Sequence, residues 1–382
     1  MSGIEFKPIV PKSVPTARSA KTSENIWWKS FRNINETKLS GPVNHISFSP
    51  LSPYHFAVSS GTNVILFSGE TRQKIKSFSR FMDIAYSGNF RHDGKLLTAG
   101  DEKGNIKLFD VETKTMLRQA QPHSSAVHAV DFFSTTQLLS GSDDKTICLY
   151  DIPTNMVVNT YEGHTDYVRA LSVASTQSDC FLSGGFDGCV KLWDRRVAPS
   201  EACVLSLATP HAVGCVLQLS ASVVVAASEA ELHVFDLLNS GKSRNRGDFR
   251  RRELATLNYH QKQVTCLASY RSDSFPAPRF LSASLDGSVR VVDPTTFKVT
   301  HNFKFPDPVL SVAVSVLPRG TVKPSPPTSW PSALPRESCP RGCGSTWRRR
   351  RKRPRWRPAR CWRVWCTGAN AWTPSWRRRR WR

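Results

Sequence analysis

Short apolar runs alternate with polar turns along most of the chain, and the alternation is periodic. Six runs end in an aromatic or apolar residue before a polar turn: Val64-Ile-Leu-Phe67, Ile106-Lys-Leu-Phe109, Ile147-Cys-Leu-Tyr150, Val190-Lys-Leu-Trp193, Leu232-His-Val-Phe235 and Val289-Arg-Val-Val292. Their last residues are spaced by 42, 41, 43, 42 and 57 positions. A near-constant period of this size marks repeated supersecondary units. The order inside an interval repeats too. An alternating strand such as Val127–Phe132 precedes Gln137-Leu-Leu-Ser-Gly141, a tight turn at Asp143-Asp-Lys145, the run above, and a further strand at Met156–Tyr161. Period-two alternation broken by short turns predicts four-stranded antiparallel units, six of them between about Leu39 and Phe305.

The polar residues of the repeat narrow the reading. Its period, the Gly163-His164 and Trp193-Asp194 pairs and the Ser-Gly-x-x-Asp turns resemble WD40 repeats, the family that builds β-propellers. The resemblance implies an all-β propeller of six clear blades and an incomplete seventh. Residues 1–38 would be an N-terminal extension contributing a closing strand, 39–317 the propeller and 318–382 a separate tail. It also implies structural tetrads. His164, Ser183, Asp187 and Trp193 fill all four positions in the fourth blade. His123, Ser140 and Asp144 have Tyr150 in place of Trp in the third, and His260, Ser282 and Asp286 have Val292 in the sixth.

Ser, His and Asp together are also the groups of a hydrolase. Their repetition at matching offsets in three blades fits a buried hydrogen-bonded network better, because a reactive centre is not normally copied around a ring. No phosphate-binding Gly-x-x-x-x-Gly-Lys loop, His-Glu-x-x-His pair or Gly-x-Ser-x-Gly turn is present. No catalytic residue, cofactor or resident metal is expected, and the chain is read as non-enzymatic.

Charge changes the picture only when it is located. The 382 residues hold 53 Lys and Arg against 30 Asp and Glu, a net +23. Residues 318–382 alone hold 19 Lys and Arg and one acid, a net +18, leaving +5 for the rest. The body's densest basic run is Lys242, Arg244, Arg246 and Arg250 to Arg252, where the long fifth interval needs a loop; a solvated insertion and a phosphate-contacting loop are both open. The N-terminus has no apolar stretch of signal-peptide length, and no run approaches the roughly 18 to 20 apolar residues of a membrane span. Six scattered body cysteines fit reduced, buried thiols, which favours cytosol or nucleus.

The linking segments point to a narrower group. Phe6-Lys-Pro8, Ile26-Trp-Trp-Lys-Ser-Phe31, Phe48-Ser-Pro-Leu-Ser-Pro-Tyr54, Ile75-Lys-Ser-Phe-Ser-Arg-Phe-Met-Asp-Ile-Ala-Tyr86 and Phe90-Arg-His-Asp-Gly-Lys-Leu-Leu97 occur in the order found in the U3 small nucleolar RNA-associated protein 15 family. So do His123-Ser-Ser-Ala-Val-His-Ala-Val-Asp-Phe132 and His164-Thr-Asp-Tyr-Val-Arg169, and the resemblance covers about residues 5–316. Most diagnostic is Phe78-Ser-Arg-Phe81, which replaces Gly-His ahead of the second blade. The resemblance implies a nucleolar scaffold of the small-subunit processome. It would act in pre-rRNA processing, rRNA transcription and small ribosomal subunit biogenesis. Its partners would be other WD40 subunits, U3 small nucleolar RNA and pre-rRNA, direct or indirect, in a hetero-oligomeric complex without membrane attachment. Arg80, Arg91, Arg244, Arg246, Arg250, Arg251 and Arg252 are the candidate RNA or partner contacts. The competing reading is a substrate-receptor or adaptor propeller for ubiquitin ligation or signalling.

The tail departs from this pattern. It holds 17 Arg and 8 Trp but no Asp, Ile, Phe, Tyr, Met, His or Gln, and neither strand nor helix periodicity survives. GC-rich coding sequence read out of frame yields such a composition, and this is the preferred reading. A disordered Arg/Trp arm that binds RNA, or a zinc pair at Cys339-x3-Cys343 and Cys361-x4-Cys366, are the alternatives. Val309–Val316 would then begin a seventh blade that stops, leaving the ring open.

Overall fold

The computed structural model describes residues 36–79, 81–173, 179–238, 253–270 and 278–316, the backbone of 361–367, and Glu24, Trp28 and Lys29. Two compact units divide the chain, Met1–Asn35 and Glu36–Arg382. In the first, the described residues are helical, and Trp28 Nε1 donates to Glu24 Oε1 at 3.3 Å, one turn away. The N-terminal closing strand expected of residues 1–38 falls almost wholly outside the described residues. Among the described residues, no helix is long and apolar enough to cross a membrane.

The second unit is a propeller. Blade 1 is β1 (Val43–Phe48), β2 (Phe56–Ser60), β3 (Asn63–Phe67) and β4 (Lys74–Phe78). Blade 2 is β5 (Asn89–Phe90), β6 (Leu96–Gly100), β7 (Ile106–Asp110) and β8 (Met116–Ala120), and blade 3 is β9 (Val127–Phe132), β10 (Gln137–Ser142), β11 (Ile147–Asp151) and β12 (Met156–Tyr161). Blade 4 is β13 (Val168–Val173), β14 (Cys180–Gly185), β15 (Cys189–Asp194) and β16 (Cys203–Ala208). Blade 5 is β17 (Val213–Gln218), β18 (Val223–Ser228), β19 (Glu231–Asp236) and β20 (Glu253–Leu257). Blade 6 is β21 (Val264–Tyr270), β22 (Arg279–Ser284), β23 (Ser288–Val292) and β24 (Val299–Lys304). Each is an antiparallel meander, because turns this short permit only hairpin neighbours.

The two central strands of each blade are largely buried on both faces, as in Phe56–Ser60 and Ile147–Leu149, since blades pack face to face like stacked sheets. The outermost strands are much more exposed. Every outer strand also carries a one-residue bulge opposite the end of its neighbour, at Ile75, Leu117, Val158, Val204, Leu254 and Thr300. Bulges of this kind bend an edge away from further pairing, which is how six open edges are blunted.

The ring is closed at its inner wall, contrary to the open ring expected from sequence. β25 (Val309–Val316) lies between β21 and β1. Thr265 Oγ1 donates to Val309 O at 2.7 Å on one side, and on the other Ile46 N donates to Ser311 Oγ at 3.1 Å. Neighbouring seams are stitched the same way, by Asn44 to Ala85 O, Asn89 to Val130 O, Ser172 to Gln218 N and Cys215 to Leu267 N. A single inner strand is enough for closure because the seams are made by the inner strands. The seventh blade remains incomplete, with two described strands. The second, β26 (Cys361–Thr367), comes from the tail and pairs antiparallel with β25 from Val309↔Thr367 to Val316↔Cys361. The tail thus contributes one described strand although its sequence shows no strand periodicity. Cys339 and Cys343 lie outside the described residues.

Candidate functional site

The blades place the sequence-predicted polar residues in two kinds of environment. In blade 4, His164 sits in the turn before β13, Ser183 in β14, Asp187 in the β14–β15 turn and Trp193 in β15. Trp193 Nε1 donates to Ser183 Oγ at 2.8 Å, Ser183 Oγ lies 2.7 Å from His164 Nε2, and His164 Nδ1 lies 2.8 Å from Asp187 Oδ2. The serine oxygen thus accepts from the indole while bonding Nε2, and Nδ1–H donates to the carboxylate. Asp187 also accepts from the Thr165 and Cys189 amides at 3.1 and 3.0 Å, which fixes both turns. Two glycines are required by this packing. Gly163 has φ of 152° with the Trp193 ring 3.1 Å from where a Cβ would stand, and a Cβ on Gly185 would lie 2.7 Å from both His164 Nδ1 and Asp187 Oδ1.

Blade 3 brings together three of its four residues. His123 Nδ1 is 2.9 Å from Asp144 Oδ2 and Nε2 is 2.7 Å from Ser140 Oγ. Tyr150 does not join them, since its hydroxyl bonds Asn155 Oδ1. With no indole present, Ser140 donates to Cys148 O at 3.4 Å and accepts from His123 instead. Burial pushes the His123 imidazole down, but the hydrogen bond to Asp144, reinforced by Cys148, overrides it and lifts the pKa to about 9. Asp144 is held far below the usual carboxylate range: burial opposes this, but His123 and Thr146 outweigh it.

In blade 6, His260 Nε2 is 2.7 Å from Ser282 Oγ and Nδ1 is 3.2 Å from Asp286 Oδ2. Here burial prevails over the longer bond and lowers the imidazole's pKa, while Ser288 bonds help to hold Asp286 at about 2 against burial. Val292 contributes packing only, within the apolar cluster of Phe280, Val264 and Val234.

The serines of all three networks are fully buried. Their oxygens face imidazoles inside a blade, where no substrate carbonyl reaches, so the arrangement ties loops to strands rather than activating a nucleophile.

Blade 2 shows what the Phe78-Ser-Arg-Phe81 stretch replaces. Register puts Ala99 where blades 3, 4 and 6 have serine, and Phe109 where blade 4 has Trp193. Phe81, Ala99 and Phe109 pack in one apolar cluster with Phe78. Asp101 keeps a cationic partner: Lys107, only 3% exposed, places Nζ 3.7 Å from Asp101 Oδ2 and 4.3 Å from the centre of the Phe81 ring. Sequence reading missed Lys107. Its signal was a charged residue at the buried centre of the Ile106-Lys-Leu-Phe109 run.

Of the candidate RNA or partner contacts, the structure describes Arg91 alone. Its guanidinium bonds both oxygens of Asp93 at 2.9 and 2.5 Å and the Thr135 carbonyl at 2.9 Å, bridging blades 2 and 3. That geometry makes Arg91 an inter-blade brace. Arg80, Arg244, Arg246, Arg250, Arg251 and Arg252 lie outside the described residues. A cavity of about 350 Å³ opens on the inner wall beside His45, Asn89, Cys266, Ser269 and Val312. Burial lowers the His45 pKa, and Nδ1–H donates to Gly88 O at 3.2 Å. Among the described residues no group of three or more His, Cys, Asp or Glu could hold a metal ion.

The family model described as WD domain, G-beta repeat matches residues 114–151, 155–194 and 251–293, each running from the outer strand of one blade through three strands of the next: β8 to β11, β12 to β15 and β20 to β23. The chain is a WD40-repeat propeller. This WD40 chain is also similar along most of its length to curated relatives. It is 36% identical over 312 residues to the U3 small nucleolar RNA-associated protein 15 homolog of Xenopus laevis, covering 81% of the chain and 57% of the relative. It is 39% identical over 297 residues to U3 small nucleolar RNA-associated protein 15 of Schizosaccharomyces pombe, covering 77% and 57%. Against the Homo sapiens homolog it is 35% identical over 312 residues, 81% and 57%. The WD40 chain thus spans somewhat over half the length of these relatives.

Proposed function

We propose that this WD40 chain is a non-enzymatic scaffold of the nucleolar small-subunit processome, associated with U3 small nucleolar RNA and acting in pre-rRNA processing, rRNA transcription and small ribosomal subunit biogenesis. The observation that carries the reading is similarity across more than three quarters of the chain to proteins named for association with U3 small nucleolar RNA, in yeast and vertebrates alike. The propeller suits the role: a stiff ring displays loops on two faces and holds several partners at fixed separations. The buried serine oxygens support a scaffold over a hydrolase. Other processome WD40 subunits are its proposed partners, and the basic run from Lys242 to Arg252 its proposed contact with pre-rRNA.

The test is complementation. Cells depleted of their own relative are given the full chain with a fluorescent tag, and pre-rRNA intermediates are measured alongside ultraviolet crosslinking. Nucleolar signal, restored processing and recovery of U3 small nucleolar RNA are expected. Cytoplasmic signal with no crosslinked RNA would overturn the proposal.

A further inference from the structure

Blade 5 has none of the buried Asp–His–Ser chain that blades 3, 4 and 6 share. Register puts Ala226 where those blades have serine. Thr209 stands four residues before β17, the offset at which His123, His164 and His260 precede their inner strands. The β18–β19 turn, Glu229-Ala230, holds no aspartate. Opposite Ala226 in β19 lies His233, which is 4% exposed. Blade 1 lacks the chain as well, and the equivalent pair there is Val58 and Ile65, both buried. Apolar packing therefore completes a blade at this place, and the fold does not require a buried imidazole in blade 5.

The surroundings of His233 are those of a metal ligand. Nδ1–H donates to Glu253 Oε1 at 2.7 Å, and Thr256 Oγ1 donates to the same carboxylate oxygen. A carboxylate on the far nitrogen orients metal-binding histidines in this way and leaves the other nitrogen's lone pair for the ion. Nε2 of His233 is buried and has no hydrogen-bond partner among the described residues. Glu231 Oε2 stands 3.7 Å from it. Held as an imidazolium, His233 would aim Nε2–H at that oxygen, but the gap is too long for a hydrogen bond. It is close to the separation of two donors on one ion. A tetrahedral metal about 2.0–2.2 Å from an imidazole nitrogen and a carboxylate oxygen holds them roughly 3.4 Å apart. A small turn of the partly exposed Glu231 side chain makes up the difference.

We propose that His233 Nε2 and Glu231 bind one divalent transition-metal cation of the zinc class, with Glu253 positioning the imidazole from behind. A nitrogen donor beside a carboxylate selects zinc over magnesium and calcium, which take oxygen donors. No third His, Cys, Asp or Glu joins the pair among the described residues, and Glu231 is 32% exposed, so water completes the shell from the open side. An ion held by two side chains and water exchanges, unlike a structural ion held by four. Its effect follows from its place. It ties the turn end of β19 to the interior of blade 5, as the Asp–His–Ser chains tie the turns of blades 3, 4 and 6. The same turn carries Glu229 O, which accepts from the Val264 amide of blade 6 at 2.6 Å, so occupancy steadies a seam as well. This site goes beyond the scaffold role, and its test is independent of RNA association.

Calorimetric titration of the metal-free full chain with zinc chloride tests it, with ions bound per chain counted for wild type and variants. His233→Ile, which gives blade 5 the residue type that blade 1 has there, should remove one ion. Ions held by cysteines elsewhere remain in both chains and cancel in the difference. Glu231→Gln should weaken the same ion by about tenfold or more, and Glu253→Gln by about tenfold to a hundredfold through the imidazole. Zinc should raise the melting temperature of wild type and leave that of His233→Ile unchanged. Circular dichroism and melting without zinc establish that the variants fold, and Glu231→Gln, at a partly exposed side chain, carries the test alone if His233→Ile does not. Equal zinc stoichiometry and affinity in wild type and the folded variants overturns the proposal, as does an equal zinc-dependent rise in their melting temperatures.

Discussion

The His123–Asp144 pair makes the stability of this propeller depend on pH in a calculable way. The His123 side chain is fully buried and its pKa is about 9 in the folded state, against 6.5 for the free side chain. A raised value means that the protonated form is favoured by folding. The stabilisation is therefore complete below pH 6.5 and is lost as pH rises through about 9. Its size follows from the two values, about 3 kcal/mol at 1.36 kcal/mol per tenfold change in proton affinity. Asp144 stays ionised throughout this range, so the pair is counted once. The perturbation that isolates it is Asp144→Asn, which removes the carboxylate that opposes burial. Urea denaturation of wild type and variant at pH 6, 8 and 10 measures the difference. The variant should be less stable at pH 6 by several kcal/mol, and the gap should narrow by about 3 kcal/mol towards pH 10. Cysteine and lysine titration in the same range cancels in the difference. A gap that does not change with pH would refute the reasoning, as would a His123 ring midpoint at or below 7 by NMR.

Trp193→Phe keeps the ring but deletes the indole bond to Ser183, and should cost about 1 kcal/mol or more by denaturation. Tyr150→Phe should leave the His123 titration midpoint unchanged, because its hydroxyl serves Asn155 rather than Ser140. Lys107→Met leaves Asp101 buried without its cation and should lower stability by about 3–5 kcal/mol in the same assay, with Asp101→Asn in addition recovering part of it. Ser311→Ala removes the acceptor for the buried Ile46 amide at the blade 7 to blade 1 seam, which should cost about 1–2 kcal/mol and speed hydrogen exchange of that amide.

Periodicity in the sequence determined the blade count, the strand order inside a blade and the buried runs, because alternation and turn chemistry are local properties. The resemblance to WD40 repeats singled out His123, His164 and His260 with their serines and aspartates, which stand at matching offsets in three blades. What surrounds a residue was not local. Whether Tyr150 completes a network depended on Asn155 being nearer its hydroxyl than Ser140, and Arg91 became a brace because the turn of the next blade presents Thr135 O to it. Lys107 stood out as a charge within an apolar run, but its place beside Asp101 and over the Phe81 ring was decided by packing. Tyr86, His128 and Arg169 are one residue per repeat, unremarkable in their own strands, and only the ring of inner strands brings the Tyr86 and His128 rings together and sets His128 and Arg169 on the same Asp143 carboxylate. Closure itself was decided in three dimensions: sequence shows a seventh unit that stops after one strand, but the seams are made by inner strands, so that strand completes the wall.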